Sequence, residues 1–263
     1  MTPFHALHQT AHPLLLPTAW DAASALSMQA AGARAIATSS AALAWSLGWP
    51  DGDNLPMDEL LAAVRRLVRV LAVPLSVDAE AGYSRDPEAV AALAVNLAGM
   101  GVAGINLEDG NESPECLAAK IAACRRALGR RALFINARTD VFLRGLASGA
   151  AATAETLARL QRYRDAGADG AFVPGLTESD TIATIAQANP MPLNVMAAPD
   201  LPDLATCTRL GVRRLSAGPW PMLGACGALE QACVSWLDHG GAWPASTRLS
   251  YGMMNDRMCT QQP

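Results

Sequence analysis

Eight short apolar segments alternate with segments of helical length along this chain, and that alternation limits the fold more than any other feature. The strand candidates are residues 14–19, 35–39, 74–80, 104–109, 133–140, 170–175, 192–197 and 213–218. The helical segments are residues 21–31, 57–71, 86–99, 113–128, 152–166, 178–188, 203–210 and 222–237. Ser113 before Pro114 and Asp86 before Pro87 are helix starts, and Gly32, Gly99 or Gly101, and Gly167 stand where left-handed caps would end helices. Period-2 alternation is weak in the strands, as expected when helices cover a sheet or a closed sheet surrounds its own core. Uninterrupted βα units predict an α/β fold, a (β/α)8 TIM barrel. It would be a single domain over residues 1–263, with a barrel core of about 14–238 and an additional C-terminal helical segment in the tail 239–263.

In such a barrel the C-terminal ends of the strands form the site. Those positions carry Trp20 and Asp21, Ser39 and Ser40, Asp78 and Glu80, Glu108 and Asp109, Asn136, Arg138 and Asp140, Asn194, then Ser216 and Gly218. Asp78 and Glu80 are two apart on one strand and face the same way. Acids gathered on one rim repel one another, so a cation or a proton-transfer role is expected to offset the repulsion. Oxygen ligands without His or Cys suit Mg2+ or, alternatively, Mn2+, and do not suit zinc. Asp109 should point away from Glu108. Arg138, set among Phe134, Ile135, Val141 and Phe142, either neutralises Glu108 or stabilises anionic oxygen on a substrate. The segment 47–53 is the longest turn-like insertion between a strand and its helix, so Asp51 either enters the site or is a solvated turn residue. Ser39 and Ser40 either cradle a carboxylate or make a simple turn.

Composition removes other chemistries. Among 263 residues, 51% are hydrophobic and the formal charge is −4 without charged blocks, so nothing favours nucleic acid or an anionic membrane as partner. Lys120 is the single lysine and falls within a predicted helix, which disfavours Schiff-base chemistry. The six cysteines include no CxxC pair, and the start lacks the basic and apolar regions of a leader, so a reducing, cytoplasmic location is expected. All four histidines lie outside the strands, against a His-centred triad. His5, His8 and His12 are expected in a loosely ordered terminal segment.

The motifs Trp20-Asp21, Thr38-Ser39-Ser40, Gly48 to Asp51, Val77-Asp78-Ala79-Glu80-Ala81-Gly82-Tyr83, Gly104 to Asp109, Ala137-Arg138-Thr139-Asp140 and Gly167 to Gly170 together resemble the isocitrate lyase and phosphoenolpyruvate mutase family, especially its shorter bacterial mutase-like members. The resemblance implies a (β/α)8 barrel and a Mg2+ site that binds an α-keto or α-hydroxy acid. It implies homo-oligomers, a tetramer or a dimer, with a C-terminal helix exchanged between subunits. By motif, Asp78, Glu80 and Glu108 are metal-site acids, Glu108 acting through water. Ser39, Ser40 and the Ala41 amide would hold the substrate carboxylate, and Trp20 would pack beside the substrate. Asp51 is the loop aspartate near metal and substrate, and Arg138 faces the reacting group. Two departures stand out: Glu80 replaces a common Asp, and the stretch 109–117 lacks the Cys-Gly-His lid of the family lyases that cleave isocitrate or methylisocitrate.

The implied activity is Mg2+-dependent cleavage next to C2–C3 of a small 2-oxo or 2-hydroxy dicarboxylic acid through a pyruvate-like enolate, by a carbon–carbon lyase or decarboxylase. Arg138, Asp51 and Tyr83 are its candidate catalytic residues, with Tyr83 or a metal-bound water as the proton donor, and Asn194 joins the substrate-binding set. The alternatives are phosphoenolpyruvate mutase or phosphonopyruvate hydrolase chemistry, and a non-catalytic oligomeric binding scaffold motivated by the two departures.

Overall fold

A computed structural model describes residues 2–243 and 249–259. Residues 244–248 and 260–263 of the expected tail lie outside the described residues. The chain opens with α1 (Pro3–Leu7), then β1 (Leu14–Leu16), β2 (Thr18–Ala19), α2 (Ala22–Ala30), β3 (Ile36–Thr38), α3 (Ser40–Ser46) and α4 (Met57–Val70). It continues through β4 (Leu75–Asp78), α5 (Pro87–Gly99), β5 (Gly104–Glu108), α6 (Pro114–Leu128), β6 (Phe134–Arg138), α7 (Gly149–Asp165) and β7 (Gly170–Phe172). Next come α8 (Ser179–Ala188), β8 (Leu193–Met196), α9 (Leu204–Arg209), β9 (Val212–Ser216), α10 (Trp220–Asp238) and α11 (Tyr251–Cys259).

All pairings are parallel, in the order β1-β9-β8-β7-β6-β5-β4-β3-β2. Only Pro17 separates the two ends of that order. Proline has no N–H to continue a ladder, and the chain changes partner there: Ala217 donates to the Leu16 carbonyl at 3.1 Å, and Ala37 donates to the Pro17 carbonyl at 2.9 Å. The expected eight-stranded barrel is thereby corrected to a nearly closed barrel of nine parallel strands among the described residues, with a C-terminal helical extension, because the first segment is two strands.

The larger apolar cluster joins the strands to the surrounding helices, through residues such as Leu60, Leu67, Leu97, Ile121 and Leu160. A smaller one, Phe4, Leu14, Leu16, Ala35, Ala37 and Phe134, fills one end of the barrel. The terminal segment is ordered where looseness was expected. Thr2 caps α1, whose Phe4 is buried edge-on to Phe134, and buried His8 stacks on Phe134 at 4.3 Å. Burial, followed by repulsion from Arg214, pushes the His8 imidazole down to about 3, so it is neutral. Gly104 makes room for this plug, since a Cβ there would lie 2.7 Å from Phe4 Cε1.

The last two helices differ from the others. α10 buries none of its residues and exposes Leu223, Leu229, Val234, Trp236 and Leu237. On the barrel's outer side an apolar groove of about 610 Å³ runs past Leu15, Met28, Ala33, Leu204 and Leu215, and Leu15 is half exposed in it. No described helix is long and apolar enough to cross a membrane.

Candidate active site

Side chains from the C-terminal ends of the strands line a cavity of about 190 Å³. Of the residues expected from sequence it gathers Ser39, Ser40, Ala41, Asp51, Asp78 and Arg138. Ser39 and Ser40 form neither a free turn nor a free cradle: the Ser39 side chain caps Ala42 N at 3.4 Å as α3 begins, and the Ser40 amide donates to Asp78 Oδ2 at 3.1 Å. Asp78 Oδ1 accepts from Asn106 Nδ2 at 3.4 Å, and Asn106 is oriented through its own Oδ1 by Asn136 at 2.9 Å and Arg214 at 3.2 Å.

Glu80, Tyr83 and Glu108 line an adjoining, more open cavity of about 360 Å³ instead. Glu80 accepts hydrogen bonds from the Asp53 amide and from the Tyr83 hydroxyl at 2.9 Å, which ties the loop after α3 to the loop after β4. Asp53, Glu80 and Tyr83 are the non-glycine residues with positive φ among the described residues, at 56°, 48° and 57°. Left-handed backbone of this kind costs free energy and concentrates at functional sites. Burial pushes Glu80 up to about 7; the Asp53 amide and the Tyr83 hydroxyl oppose this, and Asp78 and Asp53 add repulsion. Burial likewise raises Tyr83 above the ordinary phenol range, with Glu80 adding to it.

Glu108 and Arg138 face one another at the end of a paired register, Glu108 Oε2 in ionic contact with Arg138 Nη1 at 2.6 Å. Asp140 takes the rest of the fork, at 2.6 Å from Nε and 3.0 Å from Nη2. Burial drives Glu108 well above the ordinary carboxylate range despite the opposing charge of Arg138. For Arg138 burial pulls the other way, but Glu108 and Asp140 overcome it and hold the guanidinium above its usual value. Asp109 points away from this cluster as expected. It is fully buried, and accepts from the Asp140 amide at 3.0 Å, Tyr163 at 2.7 Å and Arg159 at 2.9 Å.

Two expected contacts lie apart from the cavity lining. Trp20 is half-buried, with its amide donating to Ser24 Oγ, and Asn194 is buried beneath the rim, accepting from Ser216 Oγ at 3.1 Å. Among the described residues no three His, Cys, Asp or Glu side chains converge closely enough to hold a metal ion. The donor chemistry nevertheless suits a hard cation: Asp78 repels both Glu80 and Glu108, and a cation between them would relieve that repulsion.

A family model described as phosphoenolpyruvate phosphomutase matches residues 4–237. The chain belongs to the phosphoenolpyruvate mutase/isocitrate lyase superfamily. This superfamily member is 39% identical over 223 residues to an uncharacterized protein of Mycobacterium tuberculosis, covering 83% of this chain and 82% of that one. It is 32% identical over 181 residues to an oxaloacetate decarboxylase of Pseudomonas entomophila, covering 64% of this chain and 60% of that one. Among solved structures, a candidate phosphonomutase from Burkholderia cenocepacia superposes with a TM-score of 0.83 at 40% identity, covering 87% of this chain and 96% of that one. The superfamily comprises lyases, decarboxylases and mutases of small 2-oxo and 2-hydroxy acids.

Within this superfamily barrel, sequence reading missed Asn106 and Arg214, which line the cavity beside Thr18, Phe172 and Met196. The signal was present for Arg214. It stands two residues before Ser216 on one strand, and so faces the barrel interior with it.

Proposed function

We propose that the protein is a Mg2+-dependent carbon–carbon lyase or decarboxylase that cleaves a small 2-oxo or 2-hydroxy dicarboxylic acid beside C2–C3 through a pyruvate-like enolate. The observation that carries this reading is the small cavity in which Asp78 and Arg138 meet Ser39, Ser40 and Ala41. A volume of about 190 Å³ suits an acid of a few carbons. The stretch from Asp109 to Ser113 leads directly into α6 without a proton-donating lid, which favours a small leaving fragment.

Asp78 would hold Mg2+, with Glu80 and Glu108 close by. Bound there, the ion would supply Lewis-acid polarisation of the substrate oxygen on C2. The substrate's C1 carboxylate would rest on Ser39, Ser40 and Ala41, Ser40 offering its hydroxyl because its amide is held by Asp78. Arg138, fixed in charge and orientation by Glu108 and Asp140, stabilises negative charge as it develops on the enolate. Asp51 positions the substrate from the loop side, and Trp20 and Asn194, which lie apart from the cavity lining, complete the proposed substrate-binding set. Tyr83 donates to Glu80 and is the proposed proton donor for the enolate.

Phosphorus–carbon chemistry on phosphonopyruvate is the second reading, favoured by the phosphoenolpyruvate phosphomutase family model and the Burkholderia structure. Incubation with Mg2+ and oxaloacetate, substituted malates, methylisocitrate or phosphonopyruvate, following pyruvate and phosphate together, separates the two. Pyruvate without phosphate supports C–C cleavage, and stoichiometric phosphate from phosphonopyruvate rejects it. Asp78→Ala should abolish turnover; full activity would remove the proposed metal site.

We also propose a homo-oligomer, a dimer or tetramer, in which α10 of a second copy lies in the apolar groove beside Leu15. The unburied apolar face of α10 supports this arrangement.

A further inference from the structure

Arg214 is the one large charge placed inside the barrel without an ion-pair partner among the described residues. It is 1% exposed, Nε donates to Ser216 Oγ at 3.2 Å and Nη2 to Asn106 Oδ1 at 3.2 Å, while Nη1 has no hydrogen-bond partner among the described residues. Its side chain lines the same cavity as Asp78 and Arg138. Directly across the β8–β9 register, outside the cavity lining, stands Asn194, whose buried Nδ2 is equally without a partner among the described residues. Both vacant groups are donors only, so the partner that would satisfy them is an acceptor. A buried guanidinium without an ion-pair partner carries a desolvation cost, which an anionic acceptor offsets better than water does. Burial lowers the Arg214 guanidinium to about 9, and the negative charge of Asp78 only partly opposes this.

Arg138 is poorly placed for the same task. Each of its three nitrogens already faces an oxygen of Glu108 or Asp140. The positive charge of the cavity that is not already paired with an acid therefore resides on Arg214.

We propose that Arg214 recognises the carboxylate of the diacid that Ser39, Ser40 and Ala41 do not hold, and makes the site selective for acids over their neutral amides. This rests on the lyase reading above and names the residue that enforces its substrate class. A guanidinium that offers charge-assisted donors discriminates against an uncharged isostere, because the amide can satisfy neither the charge nor every donor.

The test is calorimetric titration with oxalate and with oxamate, its half-amide, in the presence of Mg2+, on wild-type protein and Arg214→Gln. The wild-type protein is expected to prefer oxalate. In the variant that preference should fall by about 10-fold or more, through weakened oxalate binding. The ligand-free variant should melt no lower than the wild type, since an unpaired buried cation has been removed. An oxalate preference unchanged in Arg214→Gln overturns the proposal, and means that the free donors hold only water. Should that variant not fold, Arg214→Met removes the charge and the donors together; an unaltered preference there overturns the proposal equally. Wild-type protein that binds neither compound with Mg2+ instead contradicts the lyase reading, and removes this inference with it.

Discussion

Arg138 Nη1 lies 2.6 Å from Glu108 Oε2, while Asp140 occupies Nε and Nη2 of the same guanidinium. Of the two sequence readings of Arg138, the salt bridge is present, and the proposed role toward a substrate is compatible with it. In the proposed mechanism the pair aims the charge. Lysine presents one point charge and no fork, and cannot hold both acids. Arg138→Lys is expected to lower kcat by about 100-fold or more with its circular dichroism unchanged. Wild-type turnover in that variant would remove Arg138 from the chemistry.

Glu80 links pH to stability. Its carboxyl is raised from 4.5 to about 7, so the folded protein holds this proton more tightly than the unfolded chain does. The contribution is complete at low pH and is lost as pH rises from about 4.5 through about 7. Glu80→Gln should remove that loss, making the metal-free variant more stable than wild type at pH 8 by on the order of 1–3 kcal/mol, and nearly equal to it at low pH. Urea unfolding at a series of pH values measures the difference. Parallel curves for the two proteins would contradict a raised Glu80.

Asp109 joins three groups on two elements through one buried carboxylate: the amide of the Asp140 turn, and Arg159 and Tyr163 of α7. Asp109→Asn leaves Arg159 without its buried acceptor charge, and should cost about 2–4 kcal/mol in denaturant unfolding. Because Asp140 orients Arg138, kcat should fall more than KM rises. A variant as stable as wild type would show the network to be dispensable.

The unburied face of α10 predicts an assembly. Leu229 and Leu237 are 56% and 70% exposed, more than isolated surface leucines need explain when Trp236 and Val234 accompany them. Leu229→Glu combined with Leu237→Glu should convert the oligomer to monomer in analytical ultracentrifugation. Wild-type protein sedimenting as a monomer would refute helix exchange.

Much of the fold was legible because the signals are local. Pro87 and Pro114 behind Asp86 and Ser113 start α5 and α6, and Gly32, Gly101 and Gly167 adopt the left-handed backbone expected of helix ends. The split of the first strand at Pro17 was not read, although proline marks it, because partner exchange requires knowing that β9 and β3 flank the same segment. α1 escaped for a similar reason: five residues have no helical persistence alone, and what orders them is Phe4 and His8 packing on the distant Phe134.

By itself the sequence determined which chemical groups reach the rim: strand ends carrying Asp78, Glu80, Glu108 and Arg138, identified by short-range periodicity and motif. Only the tertiary structure decided how those groups are shared. It set Glu80 and Glu108 in a neighbouring cavity, paired Arg138 with two acids, and left Arg214 inside the barrel with a donor to spare. The physical reason is that charge pairing and desolvation depend on residues far apart in the chain, such as Arg214 and Asn106, that no local pattern relates.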